Sequence, residues 1–417
     1  MKENEFVAFI GIDWSDKKHD ICLLESGKNK KEYSVIKHKP ELIDDWVQSL
    51  VKRFSSGKIA VILEQSRGAL IAALLKYDIF TIYPVNPSTL SDYRKAFSPS
   101  RAKDDPTDAE FLVEILTKHR DRLRVWNADN VKTRKLQHLV EYRRNLLAER
   151  TRISNKLTAY LKLYFPQVLQ WFPDVRTNLV CEFLLKYPTL KILQKAKEKD
   201  ILELLIANGS RKKTKNQERL EEIKTAIPLI KDKAIIDSTS IMVIALCNQM
   251  KSIITDVKTF DKEIDDICST HVDYKIFSSL PGAGEVSASR MLAAFGTNRD
   301  RFSNSDQAAR YFGIAPVLER SGNQEWIRWR YFCNKFLRQS FHEFANQSIR
   351  YSYWAGEYYK KQRAKGKKHH TAIRALSYKW LRIIFRCWQD RKPYNEATYL
   401  KALARNSSTL MVKSVNI

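Results

Sequence analysis

Phe9-Ile10-Gly11-Ile12-Asp13-Trp14-Ser15 decides how this chain reads, because an apolar run ends there by presenting a single carboxylate. Val7 to Ile12 has the character of a buried strand. A charged carboxylate beside such a run is costly unless it is paired or bound to a cation. The acids expected to join it are Glu64, at the end of the apolar run Ile59-Ala60-Val61-Ile62-Leu63, and Asp105 with Asp108 in Lys103-Asp104-Asp105-Pro106-Thr107-Asp108-Ala109. Four carboxylates drawn to one spot would suit hard divalent cations, which take oxygen ligands.

Working outward, Ile21-Cys22-Leu23-Leu24, a turn at Ser26-Gly27-Lys28-Asn29 and the alternating Lys31 to His38 complete a three-strand meander. Leu42, Trp46, Leu50 and Phe54 recur at helical spacing, Ile59 to Glu64 is a strand, and Ala69 to Tyr77 is a helix. Phe80 to Val85 is a fourth apolar run, closed by Asn86-Pro87. The order is strand-strand-strand-helix-strand-helix-strand-helix. With acids ending the first and fourth strands, it resembles the ribonuclease-H-like fold of RuvC-type nucleases. Pro106 suits the first turn of a helix with the apolar face Phe111, Leu112, Ile115 and Leu116, and a three-residue spacing brings Asp105 and Asp108 near each other at its start. Acids there would equally serve as caps, because the helix dipole favours them.

The chain has 417 residues, enough for two or three domains. We expect an α/β plus α protein: an N-terminal ribonuclease-H/RuvC-like domain over 1–128, a long-helix, coiled-coil region over 129–272, and a mainly helical domain over 273–417. The excess of 73 Lys+Arg over 47 Asp+Glu, a net charge of +26, recurs along most of the chain and points to a polyanion such as nucleic acid. Six scattered cysteines, at 22, 181, 247, 268, 333 and 387, have no zinc-like spacing and read as reduced, mostly buried thiols. There is no apolar leader at Met1-Lys2-Glu3-Asn4-Glu5 and no apolar run near the ~20 residues that span a bilayer, so no membrane is expected. The expected setting is a prokaryotic-type cytoplasm, with action at the nucleoid.

Leu139, Leu146, Ile153 and Tyr160 form a heptad row, with Leu136, Arg143, Arg150, Leu157 and Tyr164 beside it, until Pro166 ends the helix. Arginines in such a row either face nucleic acid or pair across helices. Residues 167 to about 235 read as helical, with a basic loop at 208–215. A second stripe, Val243, Leu246, Met250, Ile253, Val257, Phe260, Ile264 and Ile267, is the strongest periodic signal in the chain. The two stripes make an antiparallel arm or subunit interface, or a buried helix pair within one chain.

Leu280-Pro281-Gly282-Ala283-Gly284 before a helix is similar to a helix-hairpin-helix motif, whose backbone N–H groups bind phosphate. Gly313-Ile314-Ala315-Pro316 precedes Ser321-Gly322, a pair usual in turns. Arg328, Arg330, Lys335 and Arg338 then interleave with Trp326, Trp329, Tyr331, Phe332 and Phe336, a mixture suited to phosphates and bases and also found in amphipathic core helices. Lys365, Lys367 and Lys368 extend the basic character, while neighbouring His369 and His370 would point apart on a helix.

Taken together, Gly-Ile-Asp13-Trp-Ser, Leu-Glu64-Gln, Lys103-x-Asp105-x-x-Asp108-Ala109, Leu280-Pro281-Gly282-x-Gly284, and Gly313-Ile314-x-Pro316 followed by Ser321-Gly322 resemble the DEDD-type insertion-sequence transposases. This is the IS-one-ten group, with which Piv-like DNA invertases are grouped; the resemblance runs from about residue 6 to 390. It implies a DNA recombinase with catalytic acids Asp13, Glu64, Asp105 and Asp108 holding Mg²⁺ (or Mn²⁺), and a nucleophilic Ser321. It also implies donor and target DNA, a structured guide RNA from the element itself, and a homodimer or tetramer. The nucleic-acid contacts expected are Arg101, Lys103, Gly282, Gly284, Arg328, Arg330, Lys335, Arg338, Lys365, Lys367 and Lys368. Asp104 stands where the group commonly has Thr, and the stretch after Ser321 is aromatic and basic where relatives are rich in Gly and Lys. Two other readings are a metal-dependent RuvC-like junction nuclease without serine chemistry, and a non-catalytic nucleic-acid-binding protein.

Overall fold

Strand β1 (Ala8–Trp14) pairs antiparallel with β2 (Lys18–Glu25), and β2 with β3 (Lys31–Lys37), giving the expected meander. Helix α1 (Pro40–Phe54), started by its proline, leads to β4 (Ile59–Leu63), and α2 (Ala69–Leu74) leads to β5 (Phe80–Pro84). β4 lies parallel to both β1 and β5, so the sheet order is β3-β2-β1-β4-β5. β4 is buried throughout, as its unbroken apolar sequence requires of a strand covered on both faces. One cover is α1 and α2, meeting Ile10, Ile12, Val61 and Leu63. The other is α3 (Pro87–Phe97) and α4 (Asp105–Lys118), meeting Phe9, Cys22, Ala60 and Ile62.

These elements form the first of two units, Met1–Ala128 and Asp129–Ile417, in a computed structural model that describes residues 5–55, 57–64, 68–97, 105–331 and 333–405.

The second unit begins with α5 (Val131–Tyr164), capped by Asn130, whose side chain accepts the Thr133 N–H at 2.8 Å. It stops before Pro166, as expected. Short helices follow: α6 (Gln167–Trp171), α7 (Asn178–Lys186), α8 (Leu190–Gln194), α9 (Glu198–Ala207) and α10 (Lys213–Thr225). Helix α11 (Lys233–Ser269) then returns along α5. Lys135 meets Glu263 at 2.5 Å, Arg143 pairs with Asp261, and Ile153 to Leu161 share a core with Val243 to Met250, so the two run antiparallel within one chain. Arg143 thus pairs across helices.

The expectation that nothing here could cross a bilayer needs a correction. By length and composition alone α11 is long and apolar enough to do so, because its apolar residues are separated by small and hydroxyl side chains as well as by charges. Val243, Leu246, Cys247 and Met250 nevertheless pack into the core shared with α5 and α7, while Ile241 and Met242 stay exposed.

Helices α12 (Tyr274–Ser278), α13 (Gly284–Phe295) and α14 (Ser305–Tyr311) precede a hairpin of β6 (Val317–Ser321) and β7 (Gln324–Arg328). Then come α15 (Lys335–Ser348), α16 (Tyr353–Ala364), α17 (His369–Gln389) and α18 (Glu396–Arg405). Leu136 and Val140 of α5 and Ile264 to Cys268 of α11 join the core of these helices, around Phe295, Phe312, Phe341 and Trp388. Asp129 fastens that end: it accepts from the Thr297 amide at 3.0 Å, Gln137 Nε2 at 2.9 Å and Arg301 Nη1 at 3.4 Å. Gly296 is needed beneath it, with φ +68° and a Cβ that would fall 2.4 Å from the carboxylate.

Candidate active site

The first unit gathers acids along one edge of its sheet. Asp13 is paired with Asp20 of β2, and carrying the β1–β4 register one step past Ile12↔Leu63 puts Glu64 beside Asp13 on the other side. Residues in register share a face. Asp20, Asp13 and Glu64 therefore make a row on the face of Phe9, Gly11, Cys22 and Ile62, which α4 covers. Gly11 sets the distance: a Cβ there would fall 2.1 Å from the Ala109 carbonyl oxygen, so only glycine lets the α4 backbone rest on β1. The first turn of α4, with Asp105 and Asp108, is thereby held close to the edge.

Cations already answer these acids. Lys18 lies 3.0 Å from Asp20 and 3.5 Å from Asp105, and the Asp20 carboxylate holds its ammonium above the usual lysine range. Asp108 is 2 % exposed and is gripped by two bonds from Arg94 of α3, Nε to Oδ1 at 2.6 Å and Nη2 to Oδ2. It is thus a buried ion-pair partner, which a simple cap would not be. Among the described residues no three His, Cys, Asp or Glu side chains come close enough together to hold a metal ion. The donor set is nonetheless all carboxylate oxygen, which suits a hard cation, provided Arg94 and Lys18 give way. Arg101, Lys103 and Asp104 lie outside the described residues.

Sequence reasoning missed Asp20, Lys18 and Arg94. Asp20 carried the same signal as Asp13, an acid at the mouth of an apolar run, here Ile21-Cys22-Leu23-Leu24. Arg94 carried none, because its partner lies on another helix.

Ser321 is the last residue of β6, across from Gln324, with Gly322 (φ +57°) and Asn323 as the turn. A glycine at the first turn position suits a two-residue hairpin. Apart from Val317 every residue of the two strands is exposed. Arg320–Glu325 and Arg328–Glu319 ion pairs, each 2.7 Å, tie the strands together. Arg330 Nε donates to Ala315 O at 3.0 Å and fixes the base of the hairpin. Lys335 starts α15, and Lys365, Lys367 and Lys368 stand exposed between α16 and α17. Gly282 (φ +76°) lies against Tyr351, where a Cβ would meet Cδ2 at 2.6 Å, whereas the Cβ position of Gly284 (φ +55°) faces open space.

Comparison with known proteins finds two family models along the chain. Residues 10–166 match a DEDD transposase model, and residues 274–360 match the model described as Transposase IS116/IS110/IS902 family. The chain is 26% identical over 414 residues to the mini-circle protein for IS117 of Streptomyces coelicolor, described as a transposase, covering 95% of this chain and 97% of that one. It is 24% identical over 299 residues to a 43.6 kDa protein of insertion element IS110 from the same species, covering 70% and 72%. It is 29% identical over 159 residues to a 42 kDa protein of IS900 from Mycobacterium paratuberculosis, covering 38% and 40%. The fold and these matches define an insertion-sequence transposase. The chain belongs to the IS116/IS110/IS902 transposase family.

Proposed function

We propose that this transposase cuts and rejoins DNA with two chemical centres, an acid site of Asp13, Glu64, Asp105 and Asp108 and a nucleophilic Ser321. The observation that carries the reading is the row of Asp13 and Glu64 beneath the start of α4, with Asp105 and Asp108 in that first turn. The order β3-β2-β1-β4-β5 supports assigning it to the ribonuclease-H-like, RuvC-type class. The four acids would hold Mg²⁺ or Mn²⁺, which when bound would neutralise charge on a scissile phosphate.

The exposed Ser321 hydroxyl would attack phosphorus, displacing a deoxyribose oxygen and conserving the bond energy in a phosphoserine diester. A free DNA hydroxyl then reverses the attack and rejoins the strand without ATP. The net charge of +26 supports donor and target DNA as substrates and is compatible with a structured guide RNA from the element. Arg101, Lys103, Gly282, Gly284, Arg328, Lys335, Lys365, Lys367 and Lys368 are assigned to nucleic-acid contact; Arg330 shapes the hairpin base beside them. The hairpin, exposed on both faces, favours assembly into a dimer or tetramer in the cytoplasm, where the element's DNA lies.

The test is a denaturing-gel search for a covalent protein–DNA adduct with element-end DNA, element RNA and Mg²⁺. An adduct lost in both Ser321→Ala and Asp13→Ala supports the reading. Metal-dependent cleavage that is unchanged in Ser321→Ala, with no adduct, would instead identify a junction nuclease.

A further inference from the structure

Trp329, the residue after β7, is surrounded by cations. Its ring centroid lies 4.4 Å from Arg338 Cζ of α15 and 4.6 Å from Arg374 Cζ of α17. His342, one turn beyond Arg338, lies 5.7 Å from the same ring. Burial, and then the charges of Arg338, Arg374 and His370, press the His342 pKa down to about 4. The two guanidiniums make the field at this place positive.

Several arginines near these helices are neutralised by carboxylates: Arg290 meets Glu343, Arg299 meets Asp273, Arg301 meets Asp129, Arg320 meets Glu325 and Arg328 meets Glu319. Among the described residues Arg338 and Arg374 have no salt bridge; Arg338 Nη1 donates to Arg330 O at 2.7 Å and Arg374 Nη2 to Thr371 Oγ1 at 2.9 Å. Stacking on an indole favours each guanidinium but leaves their mutual repulsion unanswered. Each retains N–H groups for an anion, and guanidinium matches phosphate in geometry and charge.

We propose that Arg338 and Arg374, both held against Trp329, bind the phosphate backbone of the DNA strand that reaches Ser321. The proposal rests on the transposase reading for its choice of strand. Trp329 begins one residue past the Val317↔Arg328 pair, and Ser321 is four pairs further along the hairpin, about 13 Å at strand rise. That span is about four base steps of DNA at 3.4 Å each. The phosphate would fix the strand's position relative to the serine without reading its sequence.

The test measures binding of the full chain to a fluorescein-labelled DNA duplex and to a labelled RNA hairpin across a salt series. Arg338→Gln and Arg374→Gln should each weaken DNA binding roughly tenfold. Each should also lower the slope of log affinity against log salt by about one. Arg374→Lys, which retains charge, should keep the slope while losing part of the affinity, and so remains informative if Arg374→Gln does not fold. Arg386→Gln, at an exposed arginine already paired with Asp390, should change neither. DNA slopes unchanged in folded Arg338→Gln and Arg374→Gln overturn the proposal, as does a slope change confined to RNA. If the DNA slopes fall but no Mg²⁺-dependent adduct forms in the wild type, the phosphate site stands and the serine reading fails.

Discussion

Arg94 and Asp108 face each other through paired hydrogen bonds across the α3–α4 contact, with Asp108 almost wholly enclosed. Removing one partner of such a pair leaves a buried charge unanswered, at a cost of about 3–5 kcal/mol. Arg94→Met should therefore lower the urea midpoint of the first unit, and Mg²⁺ should restore more stability to this variant than to wild type. The double variant Arg94→Met/Asp108→Leu should recover much of the loss. Denaturant titrations with and without Mg²⁺ check this; an unchanged Arg94→Met midpoint would refute it.

Gly11→Ala should push α4 away from β1, because the new methyl meets the Ala109 carbonyl, which belongs to the backbone and cannot swing aside. A loss of about 1–3 kcal/mol is expected. Displacing Asp105 and Asp108 by about an ångström should also reduce metal-dependent cleavage roughly a hundredfold. Wild-type cleavage by Gly11→Ala would show that the acids do not depend on this contact.

Ser321→Ala should leave stability within about 0.5 kcal/mol of wild type, since the side chain is exposed, while abolishing the covalent adduct. Gly322→Val places a branched residue at φ +57° and should cost about 1–2 kcal/mol locally and impair the adduct by disturbing the hairpin. Paired thermal melts and adduct gels separate the two effects. An adduct persisting in Ser321→Ala would remove this serine from the chemistry.

Acid should weaken the fold before its carboxylates titrate. His19 is enclosed beside His38, its Nε2 2.9 Å from His38 Nδ1, and burial first, then the charge of His38, lowers its pKa from 6.5 to about 4. His342 is lowered to about 4 as well. Below pH 6.5 the unfolded chain takes up protons that these two refuse in the folded state. Stability is thus complete above pH 6.5 and lost as pH falls towards 4, by up to about 1.4 kcal/mol per pH unit for each group. Urea unfolding at pH 7 and pH 5 checks the sign, and His19→Gln and His342→Gln should each flatten the dependence.

The succession of strands and helices along the first unit and the place of Asp13 near the end of β1 were legible because apolar runs of strand length end in turn residues and acids. The two long helices α5 and α11 were legible because their stripes persist over many turns, while the stripes left open whether they form an arm, a subunit interface or a buried pair within one chain. What escaped depends on pairs distant in sequence, Arg94 with Asp108 and Lys18 with Asp105, whereas the pairing of Arg143 across helices, with Asp261, was one of the two readings its place in the stripe allowed. The strands beside Ser321 escaped for another reason. In a hairpin exposed on both faces, charged and apolar residues such as Leu318, Glu319, Arg320, Trp326 and Ile327 alternate without marking an inner side. Only the turn, Ser321-Gly322, stood out.

The clamp at Asp129 makes a lever of the helix that follows it. At 1.5 Å per residue the 34 residues of α5 extend about 51 Å from a root wedged into the core around α13. With its carboxylate seated on Gly296 and tied to Thr297, Asp129 acts as the fulcrum. A tilt of a few degrees there sweeps the distant core of α6 to α10 through several ångströms. The far end of α5 thus stands about 50 Å from the bonds that hold its root.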